Sequence, residues 1–174
     1  LKNAMKQSCD TYFYEIARLL GVDRLNVTAK KFGLGEKVLG EYFDNEKRGL
    51  FPNTNWKKNN LGRGWVLGET LITGIGQGYT QTTPLQLCLM TAQIANGGYK
   101  IKPKIIVNDD PSNLEDAKKL MGPQSLRKPN TRLFNDPNNI KIVQEAMFSS
   151  TNEQFGTSYR SRIDDPKYQF AGKT

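Results

Sequence analysis

The sequence predicts an α+β domain in which helices outweigh strands. Three observations carry this reading. Apolar residues recur at helical spacing after Thr11 and again from Asn138 to Ser150. A dense apolar run, Leu85 to Ala95, lies between Thr83-Pro84 and Gly97-Gly98. Only Tyr99 to Val107 and Gln169 to Thr174 have strand character. The 174 residues suffice for one domain with its own core, and no internal repeat or low-complexity tract interrupts them.

In chain order, Leu1 to Gln7 reads as the end of a helix running into a short loop at Ser8-Cys9-Asp10. Phe13, Ile16, Ala17 and Leu20 then follow helical spacing, and Gly21 suits the position just past a helix end. Asp23 is placed to cap a further helix that turns Leu25, Ala29 and Phe32 inward and stops at Gly33. Residues 33–68 are rich in Gly, Asn and Lys with little periodicity, and read as mostly loop. Trp56 and Trp65 stand among Lys57, Lys58 and Arg63, a pattern that suits either single-stranded nucleic acid or a loop pinned down by two rings. The second reading is preferred, because one short cluster is weak motif evidence.

The stretch that organises the chain is Gly74-Ile75-Gly76-Gln77-Gly78-Tyr79-Thr80-Gln81-Thr82-Thr83-Pro84-Leu85-Gln86-Leu87. Its glycines suit turns and close backbone approach, Thr83 reads as an N-cap, and Pro84 reads as the first helical residue. The helix that follows is apolar on nearly every face and is expected at the centre of the core. Pro103 makes Tyr99 to Val107 an edge strand. Residues 108–137, with four prolines, read as a long excursion around a short helix near Leu114 to Met121. A helix with Ile140, Val143, Met147 and Phe148 on one face follows, then a turn at Gly156-Thr157 and a strand cut short at Thr174.

Composition excludes several chemistries. There is no histidine, so Ser-His-Asp and Cys-His triads and a histidine general base are ruled out within this stretch. Cys9 and Cys88 have no metal or C-x-x-C spacing, and neither a zinc site nor another cofactor is expected. The formal net charge of +8 permits attraction to anionic surfaces without choosing among them. No signal peptide or membrane-length apolar run is seen, and the start at Leu1 together with the stop at Thr174 suggests a piece of a longer protein.

The segment from Gly74 to Leu87 resembles the G-Q-G-x-x-x-(x)-T-P-x-Q string of penicillin-binding transpeptidases, in the version closest to the elongation-type penicillin-binding protein 2 class. Trp65-Val66-Leu67-Gly68-Glu69-Thr70, Gly156-Thr157, Ser8-x-Asp10 and Lys173-Thr174 fit the same family in the same order over nearly the whole chain. The family uses S-x-x-K, then S-x-N or a variant, then K-T-G. The resemblance implies a partial penicillin-binding/β-lactamase-like serine transpeptidase fold over residues 1–174, with loop-rich insertions near 33–68 and 108–137. It also implies Ser8 as a relay hydroxyl, Asp10 as a substrate-positioning group, Lys173 as the strand cation and Thr174 as a hydrogen-bond donor to the substrate carboxylate. Asp10 stands where most of the superfamily has Asn, and the third residue of K-T-G is absent. No Ser-x-x-Lys precedes Ser8; the match at Ser125 to Lys128 comes too late in the chain, so the nucleophile is expected upstream of Leu1.

The implied function is D,D-transpeptidation of peptidoglycan stem peptides through an acyl-serine, with β-lactams as mimics of the donor. The setting is cell elongation on the periplasmic face of the inner membrane, with an anchor upstream and a SEDS-family glycosyltransferase as partner. A β-lactamase or β-lactam sensor of the same fold is the near alternative. A basic nucleic-acid-binding module or a non-catalytic wall-binding domain are the alternatives from other classes; nucleic acid is not expected as a partner, because the lysines are scattered rather than gathered on one face.

Overall fold

A computed structural model describes residues 1–40, 44–103 and 131–174. Among them are seven α-helices: α1 (Lys2–Lys6), α2 (Asp10–Leu20), α3 (Val22–Lys31), α4 (Thr54–Leu61), α5 (Leu67–Gly74), α6 (Pro84–Ala95) and α7 (Asn138–Asn152). Two 3₁₀ turns, Tyr159–Ser161 and Pro166–Tyr168, follow α7.

Local chemistry sets the helix ends. At the end of α1 the Cys9 N–H donates to Ala4 O at 2.9 Å and the Ser8 N–H to Met5 O at 3.3 Å. This is a Schellman closure, and Ser8 takes the left-handed position at φ +51° where glycine is usual. Asp10 lies in the first turn of α2, where its charge favours the positive end of the helix dipole. Helix α3 begins directly after Gly21, so Asp23 is not its cap; the carboxylate instead accepts from the N–H and hydroxyl of Thr54 at 3.0 and 2.9 Å. That bond ties α3 to the start of α4.

Close packing fixes the arrangement. A Cβ on Gly74 would sit 2.4 Å from Ala17 Cβ, so glycine at the end of α5 is what lets it lie on α2. Helix α1 is fastened to α7 by Glu153, which accepts from Lys2 at 2.7 Å and Lys6 at 3.0 Å. Thr157 N–H also donates to Lys6 O at 3.1 Å.

Several sequence expectations are corrected. Residues 33–68 also hold one helix that their weak periodicity does not announce: α4, capped by Asn53 (which accepts from Trp56 N at 2.7 Å) and closed by Gly62 in the left-handed region. Trp56 and Trp65 both approach Tyr79, with ring centroids at 5.2 and 6.4 Å, and Trp65 Nε1 donates to Thr70 Oγ1 at 2.8 Å. The rings therefore act as pins.

Helix α6 starts as expected, with Thr83 as N-cap in a capping box with Gln86. It is not buried all round, however: Leu87 is 45% exposed and Cys88 is exposed, while the buried stripe is Gln86, Leu89 and Gln93. The two glutamines are buried because they satisfy irregular backbone. Gln86 Nε2 donates to Glu36 O and Arg48 O at 2.8 and 2.7 Å, and Gln93 Nε2 donates to Phe32 O at 3.1 Å while its Oε1 accepts from Ile101 N at 3.1 Å.

Neither expected strand forms among the described residues. Tyr99 makes an isolated antiparallel bridge to Arg132, and 169–174 is extended chain held by Gly172 N–H donating to Met147 O at 3.2 Å. A strand exists only with a partner ladder, and no described segment supplies one here. All of 104–130, including the end of the strand expected over Tyr99 to Val107, the helix expected near Leu114 to Met121 and the Ser125 to Lys128 match, lies outside the described residues.

Candidate active site

Three of the four residues expected at the site meet directly. Lys173 Nζ donates to Ser8 Oγ, and Thr174 Oγ1 lies 3.3 Å from the same oxygen. The local chain explains how. The Schellman turn lifts Ser8 off the end of α1, and the extended 169–174 segment runs beside it, anchored on α7. Asp10, at the start of α2, faces the same groove and acts on Lys173 through its charge; no hydrogen bond joins the two.

The groove has a volume of about 430 Å³. It is lined by Met5, Ser8, Asp10 and Phe13, by Gly74, Ile75 and Gln77, and by Lys173 and Thr174. Gly76, at φ +78°, turns the chain between α5 and Gln77. The organising glycine string thus forms a wall of the site. Partial burial pushes Lys173 below the ordinary lysine value, against the opposing pull of Asp10.

Ser8 and Asp10 are not helix N-caps: the N-cap of α2 is Cys9, and no side chain bonds there. The sequence assigns no part in the site to Gln77 or Phe13, although Gln77 sits inside the glycine string and Phe13 follows the helical spacing of α2. Thr157 was noticed only as part of Gly156-Thr157, yet its Oγ1 lies 2.8 Å from Thr174 Oγ1. Among the described residues no group of three His, Cys, Asp or Glu side chains could hold a metal ion. A larger cleft of about 790 Å³, with Lys30, Lys31, Lys37, Lys100, Lys102 and Arg132 in its walls, contains none of the four expected site residues.

The family model described as the penicillin binding protein transpeptidase domain matches residues 1–174. The chain belongs to that family. Peptidoglycan D,D-transpeptidase MrdA of Acinetobacter baumannii is 36% identical over 178 residues, a match that covers 100% of this chain and 24% of the relative. The protein of the same name from Haemophilus influenzae is 31% identical over 174 residues, covering 100% of this chain and 26% of the relative. The chain therefore spans about a quarter of the length of these curated relatives. Among solved structures, Pseudomonas aeruginosa PBP2 in complex with WCK 5153 superposes with a TM-score of 0.72 at 36% identity, over 91% of this chain and 34% of that one. Helicobacter pylori PBP2, solved in complex with MreC, gives 0.75 at 27% identity, over 95% and 28%. The fold is accordingly the penicillin-binding, β-lactamase-like one, here as a largely helical part of the transpeptidase domain.

Proposed function

We propose that this chain forms part of a serine-type peptidoglycan D,D-transpeptidase of the elongation class. Its groove would receive the D-Ala-D-Ala end of a stem peptide, or a β-lactam in its place. A serine carried by the full-length protein outside this chain attacks the penultimate carbonyl carbon, forming an acyl-serine. The amide C–N bond breaks, and terminal D-alanine leaves with a proton passed by Ser8. An amine of a neighbouring stem then takes the acyl group and releases the serine. Ser8 relays, Lys173 supplies the cation and tunes Ser8, Thr174 donates to the terminal carboxylate, and Asp10 positions the substrate and holds Lys173 by its charge. Without histidine, a lysine–hydroxyl pair is the acid–base unit these residues offer.

The observation that carries this reading is the hydrogen bond from Lys173 to Ser8 across 165 positions, in a groove walled by the Gly74 to Gln77 turn. The names of the relatives give it its substrate class. In this reading the full-length protein is anchored upstream, faces the periplasm, and works with a SEDS-family glycosyltransferase. The H. pylori PBP2–MreC complex suggests an MreC-like partner for this protein.

The test is labelling with fluorescent penicillin. The full-length protein should label at a serine outside this chain, and the isolated chain should not label. Labelling of Ser8 itself, or no labelling of the full-length protein, would sink the assignment.

A further inference from the structure

Four hydroxyls run in a line from the groove into the core. Ser8 Oγ lies 3.3 Å from Thr174 Oγ1, Thr174 Oγ1 lies 2.8 Å from Thr157 Oγ1, and Thr157 Oγ1 lies 3.2 Å from Ser150 Oγ. Ser150 is fully buried on α7. The line is held by backbone rather than by the hydroxyls themselves. Thr157 N–H donates to Lys6 O, and Ser158 N–H donates to Ser150 O, both at 3.1 Å. A Cβ at position 156 would lie 2.2 Å from Ser150 O, so only glycine lets this turn close onto α7.

Each hydroxyl has one proton and two lone pairs, so a chain of them has a direction. Among the described residues the Ser150 hydroxyl has Thr157 as its hydrogen-bond partner, and buried protons are placed in hydrogen bonds. If Ser150 donates to Thr157, the Thr157 proton turns outward to Thr174, and Thr174 accepts it. The Thr174 proton is then committed toward the groove. At rest it points to Ser8, which already accepts from Lys173. Ser8 thereby has both lone pairs engaged, and its own proton is directed away from Lys173 and Thr174.

We propose that Thr157 is a positioning residue that, backed by Ser150, fixes the Thr174 hydroxyl as a donor toward the substrate carboxylate. This rests on the transpeptidase reading and deepens it. Deprived of the bond from Thr157, the Thr174 hydroxyl is left with Ser8 alone, toward which it can donate or from which it can accept, and its proton is no longer held ready for the carboxylate. Chains of this kind also strengthen each bond by polarising the next. The Thr157 side chain is not required to close the turn, because the Lys6 bond uses its backbone N–H.

The experiment uses the full-length protein and four forms: wild type, Thr157→Val, Thr157→Ser and Ser150→Ala. Second-order acylation is measured with benzylpenicillin and with its carboxyl methyl ester, on the same preparations. The carboxylate form should be slowed about tenfold by Thr157→Val, as expected for weakening one hydrogen bond to a charged group. The ester should change less than about twofold, so the acid-to-ester ratio falls; Thr157→Ser should restore the ratio, and Ser150→Ala should lower it partway. A partly unfolded preparation lowers the fraction of protein that either probe acylates and leaves both rate constants, and so their ratio, unchanged. Equal slowing of acid and ester, or no recovery with Thr157→Ser, would overturn the inference while leaving the function standing. A wild-type protein that neither probe acylates would overturn the function, and the inference with it.

Discussion

Ser8 and Lys173 stand 165 positions apart and share a hydrogen bond, although neither belongs to a strand or to the interior of a helix. Ser8 occupies the left-handed residue of a Schellman turn, and Lys173 lies on extended chain anchored to α7. The backbone at Ser8 is unfavourable for any residue with a Cβ, by about 1–2 kcal/mol. A side chain kept there against that cost points to use of its hydroxyl.

Ser8→Gly should therefore separate stability from chemistry. The glycine variant is expected to be as stable as wild type or more so, by about 1 kcal/mol. Ser8→Ala should gain nothing, because the left-handed strain remains. Both should lose most of their acylation by penicillin. Thermal midpoints and acylation rates of the three forms check this; a glycine variant that is clearly less stable than the alanine one would show that the turn is not strained.

Much of the local fold around the site could be read from the sequence, and the reasons are local. Gly21, Gly33, Thr83-Pro84 and the Gly76 turn are fixed by backbone chemistry that a few residues determine. The buried stripe of α6 is not legible in the sequence, because Gln86 and Gln93 look like surface residues until the irregular backbone they satisfy is known. Among the described residues the expected strands are reduced to extended chain for a similar reason: extended character is local, but a ladder needs a partner. The Ser8 to Lys173 pairing was reachable only through the family's ordered motifs, since no local rule joins residues so far apart.

Lys57 shows the same limit from the other side. Among neighbouring lysines it looks like a solvated charge, yet it is 5% exposed and donates to Glu69. Burial pushes the Glu69 carboxyl up, but the bonds from Lys57, the Val66 N–H and the Tyr79 hydroxyl outweigh it and hold the group below its ordinary value. Lys57→Met should cost about 3–5 kcal/mol by leaving that carboxylate without its cation. Lys58→Ala, on the exposed side of α4, should stay within about 0.5 kcal/mol. Denaturant midpoints of the two variants decide it, and similar values would mean that Lys57 is not a structural pair.

Gly74→Ala should drive Cβ into Ala17, at 2.4 Å, and separate α5 from α2. Overpacking of this kind costs about 1–3 kcal/mol. Ala17→Gly makes room but weakens α2 by about 1 kcal/mol. The double variant should be more stable than the sum of the single losses predicts, a coupling of at least about 0.5 kcal/mol in a double-mutant cycle. Strict additivity would place the conflict elsewhere.

Glu153 gives a pH dependence. Hydrogen bonds from Lys2, Lys6 and Ser149 hold its carboxyl down at about 2, against an ordinary value of 4.5. A carboxyl lowered in the folded state stabilises above its unfolded value. That stabilisation should be complete above about pH 4.5 and disappear as the pH falls toward 2. The gap in thermal midpoint between wild type and Glu153→Gln should accordingly be widest near neutrality and close in acid. A gap that does not change with pH would mean that the carboxylate's charge does not hold α1 to α7.

The last expectation concerns the groove cation. Lys173→Ala in the full-length protein should slow penicillin acylation far more than Lys58→Ala, although each removes one positive charge. Lys58 is the proper comparison because it is exposed, whereas removing Lys57 would also disturb a buried pair. Charges in open solvent are screened by water and salt and matter by less than about 1 kcal/mol. Lys173 is partly desolvated, contacts Ser8 directly and faces the groove with Asp10. Loss of one preorganised electrostatic group of that kind costs about 10²–10³ in rate. Lys173→Arg should recover only part of it. The guanidinium keeps the charge, but it is larger and does not release a proton at working pH, so it can replace the cation without replacing the proton partner of Ser8. The second-order acylation rates of these three variants beside wild type check the argument. A Lys173→Ala variant as fast as Lys58→Ala would mean that another residue supplies the cation, and full activity in Lys173→Arg would mean that Lys173 contributes charge alone.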